Sequence, residues 1–245
     1  MERISHNNGS EFINAIDIAL LRESRRKSKY DQLTAPEKSV YVKIHQCLRA
    51  LGTRLQQKLG SEGHYHLKLT SGFDPRTGVR GFLPKDLWFA VYHQRNIVGL
   101  VGNPQLFMIV SHRGIECGFA ASIHPARFSK AAARERVRSA APRIFSALPE
   151  PGSNDAIELQ RRLESADHWY FRKRARLRPN IQDFPSLDSW LAFLKSPAGA
   201  HWAAGCISRY LSAQDLDGRF ASQTGLVDDM AETFASLMTI LVPPF

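Results

Sequence analysis

The amino-acid sequence predicts an α+β fold: a curled, mainly antiparallel sheet over about residues 64–122, with 168–177 as a further candidate, flanked by N-terminal and C-terminal helices. Three observations predict it. Residues 64–122 alternate apolar runs of strand length with turn-forming clusters, a pattern that no 3.6-residue period accommodates. Ahead of them, Val40, Ile44, Leu48, Leu51, Leu55 and Leu59 recur at helical spacing. Helical periodicity returns after about residue 129. With 245 residues and 43% apolar content the chain can bury a sizeable core as a single domain. In that domain 1–63 is a helical N-terminal part, 64–128 the sheet core, and 129–245 a helical part that includes a basic aromatic segment at 168–178.

Taken in order, Glu11 to Arg22 is an amphipathic helix candidate with Phe12, Ile16, Ala19 and Leu20 at helical spacing, and it runs into the basic cluster Arg22 to Lys29. That cluster suits phosphate, and suits equally a solvated helix end. Thr34 followed by Glu37 forms a capping box, with Pro36 in the first turn, so a helix follows to about Leu59. His64 to Thr70 alternates strictly, which puts Tyr65, Leu67 and Leu69 on one face. Leu87 to His93, Gln105 to Ser111 and Gly114 to Ser122 are three more strands, the last two joined by a short hairpin loop at His112-Arg113-Gly114. Ser129 caps an Ala- and Arg-rich helix toward Pro142, Leu148 to Asp155 has the composition of a linker, and Ile157 to Ser165 is helical. Leu187 to Leu194, Ala198 to Leu211 and Leu226 to Leu241 are expected as helices, with Trp190, Phe193, Trp202, Ile207 and Leu211 in the core. The apolar ending LVPPF suggests that the chain continues into another domain.

Composition narrows the class of function. The net charge of +10 attracts polyanions and makes nucleic acid the leading partner. No apolar run reaches the roughly 18 residues of a membrane span and the first residues are polar, so a cytoplasmic, membrane-free protein is expected. Cys47, Cys117 and Cys206 are odd in number and far apart, which fits neither a disulfide framework nor a zinc cluster.

Two stretches mix aromatic and cationic residues. The loop Ser71 to Asp86 carries Arg76, Arg80 and Lys85 around the aromatic Phe73, and a loop of that length and basic content points to function. Further on, Trp169, Tyr170 and Phe171 stand directly against Arg172, Lys173, Arg174, Arg176 and Arg178. Cations neutralise phosphates while ring faces stack on exposed bases, so this mixture suits nucleic acid. An edge strand that buries Trp169 and Phe171 behind solvated charges explains it equally well.

Catalytic signatures are missing. Neither GxxxxGK[ST] nor GxGxxG occurs, His64 and His66 have no third metal ligand set by spacing, and Asp74, Asp86 and Glu116 lack the partners of a nuclease site. Ser111 and His112 are adjacent and so point to opposite strand faces, and no nucleophile elbow is present for them or for Ser122 with His124. No cofactor and no catalytic residue is expected within these residues.

The run LKLTSGFDPRTGVRGFLPKDLWFAVYHQ, followed after an insertion by NPQLFMIVSHRGIECGFAASI, resembles the N-terminal recognition domain of the McrB family of modification-dependent (type IV) restriction proteins. The shared pattern is a strand ending in Ser-Gly-aromatic, a loop, a strand centred on Trp-Phe-Ala, a proline-opened apolar strand, and a strand ending in Gly-aromatic-Ala. About sixty residues carry the likeness, and Ala126 to Pro185 carries hardly any. The resemblance implies a non-catalytic domain that binds double-stranded DNA containing modified cytosine, flips the base into a pocket, and works with a motor ATPase and a nuclease in anti-phage defence. By position it implies Phe73 as the wedge in the duplex, Trp88 as a pocket aromatic, Phe107 or Met108 as an apolar pocket wall, and Tyr170 as a further pocket ring. Phosphate contacts would fall to Arg76, Arg80, Lys85, Arg172, Lys173 and Arg174. The rival expectation is a protein-interaction domain that docks an acidic partner.

Overall fold

The computed structural model describes residues 13–60, 65–70, 73–74, 78–79, 82–93, 104–122, 148–164, 169–173, 182–197 and 204–218, with shorter pieces at 131–132, 135 and 145–146 and between 227 and 237. Its centre is an open six-stranded antiparallel sheet. In chain order the strands are β1 (Tyr65–Leu69), β2 (Phe73–Asp74), β3 (Gly78–Val79), β4 (Asp86–His93), β5 (Pro104–Ser111), β6 (Gly114–Ser122), β7 (Trp169–Arg172) and β8 (Ala204–Leu211). The sheet order is β1-β4-β5-β6-β8-β7, and β2 pairs β3 in a separate small ribbon. The helices are α1 (Ala15–Ser24), α2 (Ala35–Lys58), α3 (Asn154–Glu164), α4 (Leu187–Lys195) and α5 (Ala213–Gly218).

Local chemistry sets the helix ends. Asn14 caps α1: its side chain accepts from the Asp17 backbone N at 3.0 Å while the Asp17 carboxylate accepts from the Asn14 N at 2.9 Å. This reciprocal box satisfies two orphan N–H donors, so the helix starts at Ala15 and not at Glu11. The Thr34–Glu37 box starts α2 in the same way, and Lys27 pairs with that glutamate. Such caps contribute about 1 kcal/mol each.

One face of α2 lies on β1 and β4. Gly52 makes the close approach possible, since a Cβ there would stand 2.4 Å from Leu67 Cδ1 and 3.3 Å from the Phe89 ring. The sheet face toward α2 carries Leu67, Leu69, Phe89, Val91, Leu106, Met108, Ile115, Cys117, Phe119 and Ile207 in the main core. Trp190 and Phe234 are fully enclosed by the same core.

Residues 204–211 depart from the helix expected over Ala198 to Leu211. They form β8, inserted between β6 and β7 with Ile207 opposite Phe119 on one side and Phe171 on the other. Ile207 and Leu211 alternate with Cys206, Ser208 and Tyr210, and backbone partners on both flanks hold that period of two over any helical preference. The basic aromatic segment begins as the edge strand β7, where Trp169 and Phe171 are buried. The helix expected over Leu226 to Leu241 is seen in the described pieces from 227 to 237, and that expected over 129–142 at 131–132 and 135. Among the described residues no helix is long and apolar enough to cross a membrane.

Candidate nucleic-acid interface

The second face of the sheet carries Trp88, Phe107 and Tyr170, and the pairing register gives their spacing. Trp88 stands opposite Ile109, Ile109 opposite Glu116, and Glu116 opposite Tyr210, so these four make one row on that face. The next row is Ala90, Phe107, Gly118, Ser208 and Tyr170. Trp88 and Ile109 are half-buried and pack on the small cluster of Ala90, Phe107, Ala120 and Cys206. The Trp88 backbone is fixed at β1, donating to Thr70 Oγ1 at 2.6 Å and accepting from Thr70 N at 2.9 Å.

Phe107 therefore shares a face with Trp88, while Met108 points the other way into the main core. That settles the one-residue ambiguity at this strand against Met108 as a wall beside Trp88. Tyr170 is on the same face but four strands away, about 19 Å at ~4.8 Å per strand, too far to close one base pocket with Trp88.

Phe73, expected as an exposed wedge, is buried. Its ring packs against Tyr30, Tyr41 and His45 at centroid distances of 6.0, 6.0 and 5.1 Å. Burial pushes the Tyr41 hydroxyl up and the His45 imidazole down, as expected of polar groups drawn into that apolar nest. Arg172 is likewise turned inward. Its Nη1 lies 2.9 Å from Glu116 Oε1, with side-chain exposures of 3% and 0%, and its guanidinium sits over the Tyr170 ring at 4.7 Å. A guanidinium so enclosed is not presented to phosphate. Between the two partners' rows Gly118 contributes no side chain, which leaves the arginine room to cross.

Lys173 lies over the Phe193 ring at 5.2 Å and its backbone N donates to Asp183 Oδ2 at 2.7 Å. Lys85 spends its ammonium on the Arg25 and Lys27 carbonyls, at 2.8 and 3.0 Å, docking its loop on the turn after α1. Arg76, Arg80 and Arg174 lie outside the described residues, as do His64 and His124. Ser111 Oγ accepts from the Arg113 N at 3.1 Å, a turn-stabilising role. Among the described residues no three His, Cys, Asp or Glu side chains gather as a metal site. The Cys206 thiol is held well above its usual range by burial and by the nearby Glu116 carboxylate.

Cations collect at one end of the sheet. Arg22 and Arg25 from the end of α1, with His112 and Arg113 from the β5–β6 turn, meet beside Asp86 at the start of β4. Arg25 Nη1 lies 2.9 Å from His112 Nδ1. The His112 imidazole is held below its ordinary value by burial first, then by Arg25, Arg113 and Arg22. Burial raises the Asp86 carboxyl, against the pull of Arg25 and Arg113. Trp88 is two residues along β4 from Asp86, about 7 Å by strand rise, so the half-buried Trp88 lies near this basic end.

Sequence reasoning left the Arg22–Lys29 cluster undecided and passed over Phe82, which is 83% exposed in the loop before β4. The available signal was a second aromatic in the basic loop, in the run Gly81-Phe82-Leu83-Pro84. No family model matches this chain, and no curated protein matches it.

Proposed function

We propose that this chain is a non-catalytic DNA-recognition domain for modified, methylated cytosine that reads the base by flipping it, in a restriction or anti-phage system whose motor and nuclease lie elsewhere. One observation carries the reading: Trp88 is half-buried on the sheet face that bears Phe107 and Ile109, at the end of the sheet where Arg22, Arg25 and Arg113 collect. Extracting a base costs a few kcal/mol of stacking and pairing, so a flipping protein needs a ring to receive the base and cations to hold the backbone. Trp88 supplies the first and the basic end the second. With Phe73 buried and Arg172 in an ion pair, neither enters this version of the site.

The test is Trp88→Ala. The preference for duplex carrying 5-methylcytosine over plain duplex disappears while binding to plain duplex stays within about threefold, because the cations that set nonspecific affinity are untouched. An unchanged preference would remove Trp88 from the site. The same cations fit an acidic protein, and that second reading takes over if neither duplex is bound.

A further inference from the structure

We infer that the turn after α1, the β5–β6 turn and Phe82 form a surface that binds an unpaired stretch of nucleic acid, Phe82 stacking on a base while the arginines hold the flanking phosphates. The surface shares Arg22, Arg25 and Arg113 with the modified-cytosine reading, but it stacks a base through Phe82 where that reading uses Trp88.

A single exposed apolar side chain is ordinary on a protein surface. What distinguishes Phe82 is that the residues after it are pinned while its own ring is left out. Leu83 is 3% exposed and its N donates to Ser28 O at 2.7 Å. The Pro84 carbonyl accepts from Tyr41 Oη at 3.3 Å, and Lys85 Nζ donates to the Arg25 and Lys27 carbonyls. These bonds tie the loop to the very turn that displays Arg25 and Arg26, so ring and cations belong to one surface. Arg22, Arg25, Arg26, Lys29 and Arg113 are all exposed there. Arg22, Arg26 and Lys29 have no carboxylate at ion-pair distance among the described residues. Glu23, Asp31 and Asp86 are outnumbered, and Lys27 is already matched by Glu37.

Charge of this sign fits a polyanion, and an exposed ring in its midst fits one whose groups have free π faces. Unpaired bases offer those faces without the unstacking cost that a closed duplex imposes. An acidic polypeptide would satisfy the cations and leave the ring unused.

The experiment uses the whole chain and a dT oligonucleotide with one 2-aminopurine, read by anisotropy for binding and by fluorescence for stacking. The wild type binds and quenches the probe. Phe82→Ala weakens binding by about 5- to 150-fold and abolishes the quench, and Phe82→Trp restores both. Arg25→Ala with Arg113→Ala flattens the salt dependence. The preference for modified over plain duplex is the same in Phe82→Ala as in the wild type, so failure here and failure at Trp88 are separable. The inference is overturned if Phe82→Ala binds like the wild type, if its quench persists, or if a poly-glutamate peptide competes as well as the oligonucleotide.

Discussion

Arg172→Ala is expected to cost stability, not DNA affinity. The guanidinium is 2.9 Å from Glu116 and the two side chains are 3% and 0% exposed, so truncation takes this cation from a carboxylate held away from water. Breaking a pair so enclosed costs about 3–5 kcal/mol. For a chain of this length that is a fall of roughly 6–20 °C in thermal midpoint, at ~2–4 °C per kcal/mol. The companion variant replaces both partners, Arg172→Met with Glu116→Leu. Removing both charges at once removes their desolvation cost, and the double variant should melt at least as high as Arg172→Ala plus about 2 kcal/mol, approaching the wild type or exceeding it. Urea and thermal melts of wild type, both single variants and the double variant complete the cycle. Refutation is a melt of Arg172→Ala within about 0.5 kcal/mol of wild type together with a large loss of DNA binding, for then the side chain would be facing phosphate after all.

Two more outcomes follow from the same structure. Phe73→Ala should lose about 3–5 kcal/mol by leaving a cavity among Tyr30, Tyr41 and His45, whereas Phe82→Ala stays within ~0.5 kcal/mol because its ring packs on little; equal melts of the two would contradict this placement. Nucleic-acid affinity should rise as pH falls from 7.5 to 5.5, and His112→Asn should remove part of that rise. The imidazole has a lowered value in the free fold, so it contributes stability above its ordinary value of about 6.5 and that stability is lost as pH falls below it. Phosphates beside Arg22, Arg25 and Arg113 offset their repulsion, raise the imidazole and couple binding to proton uptake, by at most about tenfold per pH unit. Asp86, whose carboxyl is raised by burial, lies in the same cluster, so the difference between wild type and His112→Asn is the quantity to read. Identical slopes would sink the coupling.

How much was legible in the sequence depended on where the information lay. The Thr34–Glu37 box, the alternation in β1 and the hairpin at His112-Arg113 are local, and their chemistry stands in a few adjacent residues. The Asn14–Asp17 box was equally local but stood behind an apolar stripe that began earlier, at Phe12. The strand β8 was misread because Ala203, Ala204, Arg209 and Leu211 favour a helix, and only its pairing with both β6 and β7 fixes its state. Burial was the larger gap. Phe73 and Phe82 lie in the same loop with similar basic neighbours, and nothing in the local sequence says which ring α2 will cover. Arg172 looked like one of a row of solvated cations because its partner, Glu116, is 56 residues away on another strand. Trp88 with Phe107 could be paired by resemblance, but separating Phe107 from Met108 took the register of β4 on β5.

The most direct measurement is equilibrium binding of the intact chain to matched duplexes carrying cytosine, 5-methylcytosine or 5-hydroxymethylcytosine at one position, at two salt concentrations. The account predicts that absolute affinity falls steeply with salt, because cations at the basic end carry it. It also predicts a several-fold preference for the methylated duplex that salt leaves unchanged, since burial of a methyl group beside Trp88 is worth only about 1 kcal/mol and is uncharged. Equal affinity for all three duplexes at both salt concentrations would contradict it.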